Sequence, residues 1–121
     1  MYKEIKHYCD NLITEFETIS NERKILLEKL SNYISLKKES NQLIQLVYIC
    51  THNSRRSHFG QIWAQVAARY YNVKNVHAFS GGTEITAFNI NAITAIKRVG
   101  FDVRKINDEI NALYHIYFDD T

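Results

Sequence analysis

No proline occurs anywhere in the 121 residues, glycine is confined to four positions, and there are only two cysteines. The first forty residues hold neither glycine nor proline, so nothing interrupts a helical reading there. Cys9 and Cys50 are too few for a disulfide framework, although the sequence leaves one Cys9 to Cys50 bridge open. Charge of one sign is scarce as well: 15 basic against 13 acidic side chains give a net charge of +2, with no basic block beyond Lys37-Lys38 and Arg55-Arg56. That excludes the broad positive field of most nucleic-acid binders, so any anion site has to be local. The longest apolar runs fall well short of the roughly 20 residues that cross a bilayer, and Met1-Tyr2-Lys3-Glu4-Ile5 opens no signal-peptide core. Neither nucleic acid nor membrane is expected as a partner, and a cytoplasmic location is the default expectation. His7, His77 and His115 are scattered without ligand spacing, so no metal and no cofactor is expected.

What is present is 45% hydrophobic residues with 23% charged, the balance of a single folded domain. Tyr2, Ile5, Cys9, Leu12, Ile13, Phe16 and Ile19 recur at three- and four-residue steps, and Leu26, Leu27, Leu30, Tyr33 and Ile34 form a second stripe. Between them Ser20 is a candidate N-cap. The spacing predicts a helical hairpin or one bent helix, a helical extension over residues 1–40 that packs on a sheet, with Cys9 in the core. Its two stripes also predict a homodimer or partner surface.

Polar residues 37–42 then give way to Leu43-Ile44-Gln45-Leu46-Val47-Tyr48-Ile49, which reads as a central parallel strand buried on both faces. A helix is predicted from about Arg56 to Tyr71, ended by Asn72. A short strand follows over residues 75–79, then a glycine turn over 80–83, then a helix from Asn91 to Val99 closed by Gly100. Ala112 to Phe118 is a candidate third strand. This rhythm predicts an α/β fold with helices on both faces of a parallel sheet and a ligand site at the strand ends. The catalytic unit is placed over residues 43–121. Two or three strands make a small core, so a partial, C-terminally truncated catalytic domain is expected.

The chemistry concentrates in Cys50-Thr51-His52-Asn53-Ser54-Arg55-Arg56-Ser57, a thiol and a guanidinium five residues apart at a strand-to-helix turn. Attack on a phosphoryl group needs a thiolate, and three features favour one at Cys50: the amino end of the following helix, the Arg56 charge and the Ser57 hydroxyl. The amides from Thr51 to Arg56, through His52, Asn53, Ser54 and Arg55, would form a concave nest for phosphate oxygens. The Arg56 fork would hold two of them. Asn53 suits a left-handed residue. His52 reads as a substrate-facing or solvent side chain, and His58 as a helix-surface residue.

Val47 through Ser57 resembles the signature of the low-molecular-weight protein tyrosine phosphatases and their relatives, the thioredoxin-coupled arsenate reductases. Phe79-Ser80-Gly81-Gly82-Thr83-Glu84 resembles the serine-alanine-glycine-threonine segment of that family, and Asn89 through Gly100-Phe101 its next helix. The likeness spans about Leu43 to Val103. It implies a flavodoxin-like fold with a four-stranded parallel sheet and a cysteinyl-phosphate intermediate that water hydrolyses. By position it makes Cys50 the nucleophile, Arg56 the oxyanion clamp, Asn53 the loop-shaping residue and Ser57 the thiolate donor. Three departures stand out. Arg55 replaces a second loop cysteine, Asn89-Ile90 replaces asparagine-proline, and no residue here matches the family's general acid, an aspartate followed by proline. Asp119 and Asp120 read as solvated terminal charges. The expected function is a hydrolase of protein tyrosine phosphatase type, acting on a phosphorylated protein or a small aryl phosphate. The alternatives are an arsenate reductase acting on arsenate at the same CX5R phosphate-binding loop, or a module that binds phosphate without turnover.

Overall fold

A computed structural model describes residues 1–84, 86–109 and 112–119. In chain order the elements are α1 (Lys3–Ile13), a 3₁₀ turn (Phe16–Thr18), α2 (Asn21–Glu39), β1 (Ile44–Cys50), α3 (Arg56–Tyr70), β2 (Val76–Gly82), α4 (Ile90–Val99), β3 (Asp102–Lys105) and β4 (Tyr114–Tyr117). The chain is a mixed α/β protein: β1 and β2 form a parallel two-stranded sheet, and β3 and β4 a separate antiparallel pair.

The helix ends follow local chemistry. Ser20 Oγ accepts from the Arg23 amide at 3.2 Å and starts α2, while Asn89 Oδ1 accepts from the Asn91 and Ala92 amides and starts α4. Gly100 closes α4 with φ 121°, in the region where a side chain is strained. Asn72 ends α3 with φ 54°. The N-terminal region is thus two helices, with Phe16–Thr18 between them and a new helix start at Ser20.

The core lies between helices. Ile5 and Cys9 of α1, Ile62 and Val66 of α3, and Ala92, Ile93 and Ile96 of α4 close around Phe88 and Phe101. Ile5, Val66 and Ile96 are fully buried. Cys9 is therefore core, as expected, and both thiols are free, which answers the open question of a bridge. The helix α2 buries no residue, but its Leu30 and Ile34 line a crevice with Leu46 and Tyr48 of β1. The Tyr48 ring lies on Gly60 of α3, where a Cβ would stand 2.3 Å from it.

Four expectations are corrected. The strand β1 alternates between covered and open residues, and Val47, Ile49 and Phe79 are 62, 69 and 47% exposed. Helices pack on one face of the sheet, so among the described residues nothing covers the other. The strand β2 runs on through Gly82 rather than stopping at Phe79, because pairing with β1 holds Ser80, Gly81 and Gly82 extended. The late strand exists but pairs antiparallel with β3, a strand the apolar pattern does not mark. Asp119 is not a solvated charge: its carboxylate is 13% exposed and meets Arg69 at 3.1 Å and the N-terminal ammonium at 3.6 Å. Asp120 lies outside the described residues.

Candidate active site

The site forms where β1 ends, because parallel pairing with β2 delivers Cys50 opposite Gly82 and the chain must then turn into α3. Asn53 makes that turn with φ 49°. Asparagine tolerates this conformation better than most residues. Arg55, at φ −133° and ψ −73°, precedes the helix and caps no amide with its side chain. The first-turn donors of α3 therefore face the loop.

Cys50, Asn53 and Ser57 form one connected group. The Asn53 side-chain amide donates to Ser57 Oγ at 2.7 Å, and Ser57 Oγ lies 3.1 Å from Cys50 Sγ. A hydroxyl both donates and accepts, so with the cysteine ionised Ser57 Oγ can accept from Asn53 while giving its own proton to the sulfur. The Asn53 backbone amide adds a donor to the same sulfur at 3.2 Å. Ser57 is buried, at 2% exposure. The hydrogen bond from Ser57, helped by the amides of Ser57, Asn53 and Ser54, lowers the Cys50 thiol to about 6. Partial burial opposes the shift without cancelling it. Donors that favour the anion are the cause, and the sulfur is a thiolate at neutral pH.

Arg56 shares two openings with Cys50. One, of about 430 Å³, is lined by Cys50, His52, Ser54, Arg55 and Arg56. The other, of about 360 Å³, is lined by residues including Tyr48, Thr51, Ser57 and Thr83. Arg56 and the loop residues Thr51, His52, Ser54 and Arg55 thus line these two openings with Cys50, while Asn53 and Ser57 hold its sulfur.

Residues beyond the octet hold the loop. The amides of Thr83 and Glu84 each donate to the Thr51 carbonyl at 3.0 Å, and Thr83 Oγ1 does so at 3.2 Å. The Thr86 hydroxyl donates to the His52 carbonyl, and the Asn89 amide donates to the Ser54 carbonyl at 2.9 Å. Glu84 Oε2 lies 3.2 Å from His52 Nε2. Sequence reading missed Glu84 and Thr86 as site residues, since no local periodicity links positions more than thirty apart. The only signal was the glycine-rich segment just before them.

His58 departs from its helix-surface reading. Its ring stacks on Phe88 with centroids 4.1 Å apart, its Nδ1 lies 3.5 Å from Ser80 Oγ, and burial pushes its pKa down. It belongs to a cavity behind the loop with Asn53, Gln61 and Phe88, not to the mouth. Among the described residues no group of three or more histidine, cysteine or acidic side chains is placed to hold a metal ion, and no helix is long and apolar enough to cross a membrane.

No protein-family model matches the chain, and no curated protein or solved structure shows a significant match to it.

Proposed function

We propose that the chain is a cysteine-dependent phosphomonoesterase of the low-molecular-weight protein tyrosine phosphatase type. The observation that carries this reading is the Cys50 sulfur, held by the Ser57 hydroxyl and the Asn53 amide and lowered to about 6, in a concavity that Arg56 also lines. A thiolate at the amino end of α3 is a competent nucleophile, and uncapped amides with a guanidinium are the donors an equatorial phosphoryl charge requires. In this reading β1, α3 and β2 are the first unit of a flavodoxin-like catalytic domain, and α1 and α2 are an extension that also supplies core.

Cys50 Sγ attacks phosphorus, the ester P–O bond breaks, and the phosphoryl group rests on sulfur. Water then attacks phosphorus, the S–P bond breaks, and the thiolate returns to the Ser57 hydroxyl. The second free thiol, Cys9, is buried in the helical core and takes no part in these steps.

The test is hydrolysis of an aryl phosphate with a good leaving group by this chain and its Cys50→Ser and Arg56→Ala variants. Turnover lost in both variants supports the reading. No turnover, with inorganic phosphate still protecting Cys50 from alkylation, would replace it by a phosphate-binding module.

A further inference from the structure

Glu84 Oε2 meets His52 Nε2 at 3.2 Å, and His52 lines the same cavity as Cys50 and Arg56. The contact between them is built rather than incidental. Three donors from Thr83 and Glu84 converge on the Thr51 carbonyl, and the Thr86 hydroxyl holds the His52 carbonyl, so the segment carrying Glu84 is stitched to the segment carrying His52. A carboxylate only accepts hydrogen bonds, so the imidazole nitrogen facing Glu84 Oε2 carries a proton. The other nitrogen, Nδ1, is then the one that loses and regains a proton. The titratable and charged groups around His52 are Glu84, Cys50, Arg55 and Arg56.

We propose that His52 is the general acid of this site and Glu84 its positioning residue, which extends the substrate class to phosphomonoesters with poor leaving groups, such as phosphotyrosine. The assignment rests on the phosphomonoesterase reading. As Cys50 Sγ bonds to phosphorus and the ester bond breaks, the imidazolium gives the Nδ1 proton to the leaving oxygen, which departs as the alcohol or phenol. Neutral His52 then takes a proton from the water that attacks the cysteinyl phosphate, the S–P bond breaks to return the thiolate, and the imidazolium is restored against Glu84. The net change is ester plus water to alcohol plus inorganic phosphate, with every proton accounted for.

The experiment measures kcat/KM, which reports the first step, for 2,4-dinitrophenyl, 4-nitrophenyl and phenyl phosphate with the unaltered chain and with His52→Ala and Glu84→Gln. The expected result is a graded loss: the ratio of unaltered to His52→Ala rate rises along the series and reaches about 10²- to 10⁴-fold for phenyl phosphate. Glu84→Gln shows the same gradient at smaller amplitude. A merely structural role would lower all three substrates alike, and a ratio constant along the series overturns the assignment. Both side chains are more than half exposed, so neither substitution opens the core. The unaltered chain supplies an independent check: a kcat/KM as steeply dependent on leaving group as expected for reaction without an acid also overturns it. Failure to turn over even 2,4-dinitrophenyl phosphate, which needs no acid, would instead overturn the phosphomonoesterase reading, and the assignment with it.

Discussion

Gly82 lies in register opposite Cys50 across the two parallel strands, and a Cβ at Gly82 would stand 2.7 Å from the Asn53 amide nitrogen and 2.8 Å from Asn53 Cβ. The obstacle includes backbone, which cannot swing aside as a flexible side chain can. Gly82→Ala is therefore expected to push the loop off Cys50 and displace the Asn53 donor. A shift near 1 Å in a site of this kind costs about 10²-fold in rate. Gly81→Ala is the control, since a Cβ there meets nothing within 4 Å. Equal aryl phosphate turnover by the two variants would remove Gly82 from its role.

Ser57 sets the thiolate. With the thiol lowered to about 6, alkylation of Cys50 by iodoacetamide should rise through that pH and level off by neutrality. In Ser57→Ala the largest cause of the lowering is gone, so the midpoint should move up toward the ordinary thiol range of about 8.5, with on the order of a tenfold loss of alkylation rate at pH 6 for each unit moved. The linkage to folding has the matching sign. A depressed thiol favours the folded chain above the ordinary thiol value, and that contribution is lost as pH falls through about 6. An alkylation curve unchanged by Ser57→Ala would place the lowering elsewhere.

Much of this was legible from short-range pattern. The apolar run into Cys50, the helical spacing from Phe59 to Tyr70, the Ser20 cap and the Gly100 stop are each encoded within a few residues, and each stands where the pattern puts it. What escaped depends on partners far away in sequence. Gly81 and Gly82 look like a turn, yet pairing with Ile49 and Cys50 keeps them in β2. In β3, Val103 is the lone apolar residue among charges, and the strand exists because Tyr114 to Tyr117 lies alongside it. Leu43 to Ile49 reads as buried on both faces because sequence reports apolar character, not whether a second layer is present to cover it. Glu84 meets His52 only through the bonds that fold its segment over the Thr51 carbonyl.

The place of α1 in the helical core cluster has a measurable consequence. Ile5 is fully buried among α3 and α4 residues although it belongs to the first helix. Ile5→Ala is expected to destabilise the whole chain by about 2–5 kcal/mol, the range for truncating a buried isoleucine. Leu36→Ala, at an exposed position of α2, should change stability by no more than about 0.5 kcal/mol. Urea unfolding of the two variants decides the point. An Ile5→Ala loss as small as that of Leu36→Ala would mean that α1 is not integral to the core.

Acid should weaken the fold partly through His58. Burial lowers its pKa, so the folded chain holds it neutral and disfavours the proton that the unfolded chain accepts. Stability from this source is full above about 6.5 and falls as pH drops below it. Thermal unfolding of the unaltered chain between pH 7.5 and 5 should show a steeper decline than that of His58→Phe, which keeps a ring against Phe88 and cannot titrate. Parallel declines would clear His58.

The sheet's outer edge carries a liability of its own. A parallel ladder uses alternate residues of each strand, so with the Ile44 amide bonded to Asn75 in the β2 direction, the main-chain groups of Gln45, Val47 and Ile49 point the other way. The outward groups of Ala78 on β2 are engaged by Gln61 and Gln65, and the Gln45 carbonyl has the Tyr33 hydroxyl at 3.5 Å, but among the described residues no strand pairs with that edge of β1. Ile44 to Ile49 is uncharged, rich in β-formers and free of proline, and its open face shows Val47 and Ile49. Such a segment is a template for edge-to-edge aggregation, and a net charge of +2 supplies little repulsion against it. Val47→Lys, which sets a charge on that open strand, is therefore expected to raise the concentration at which this chain stays dispersed.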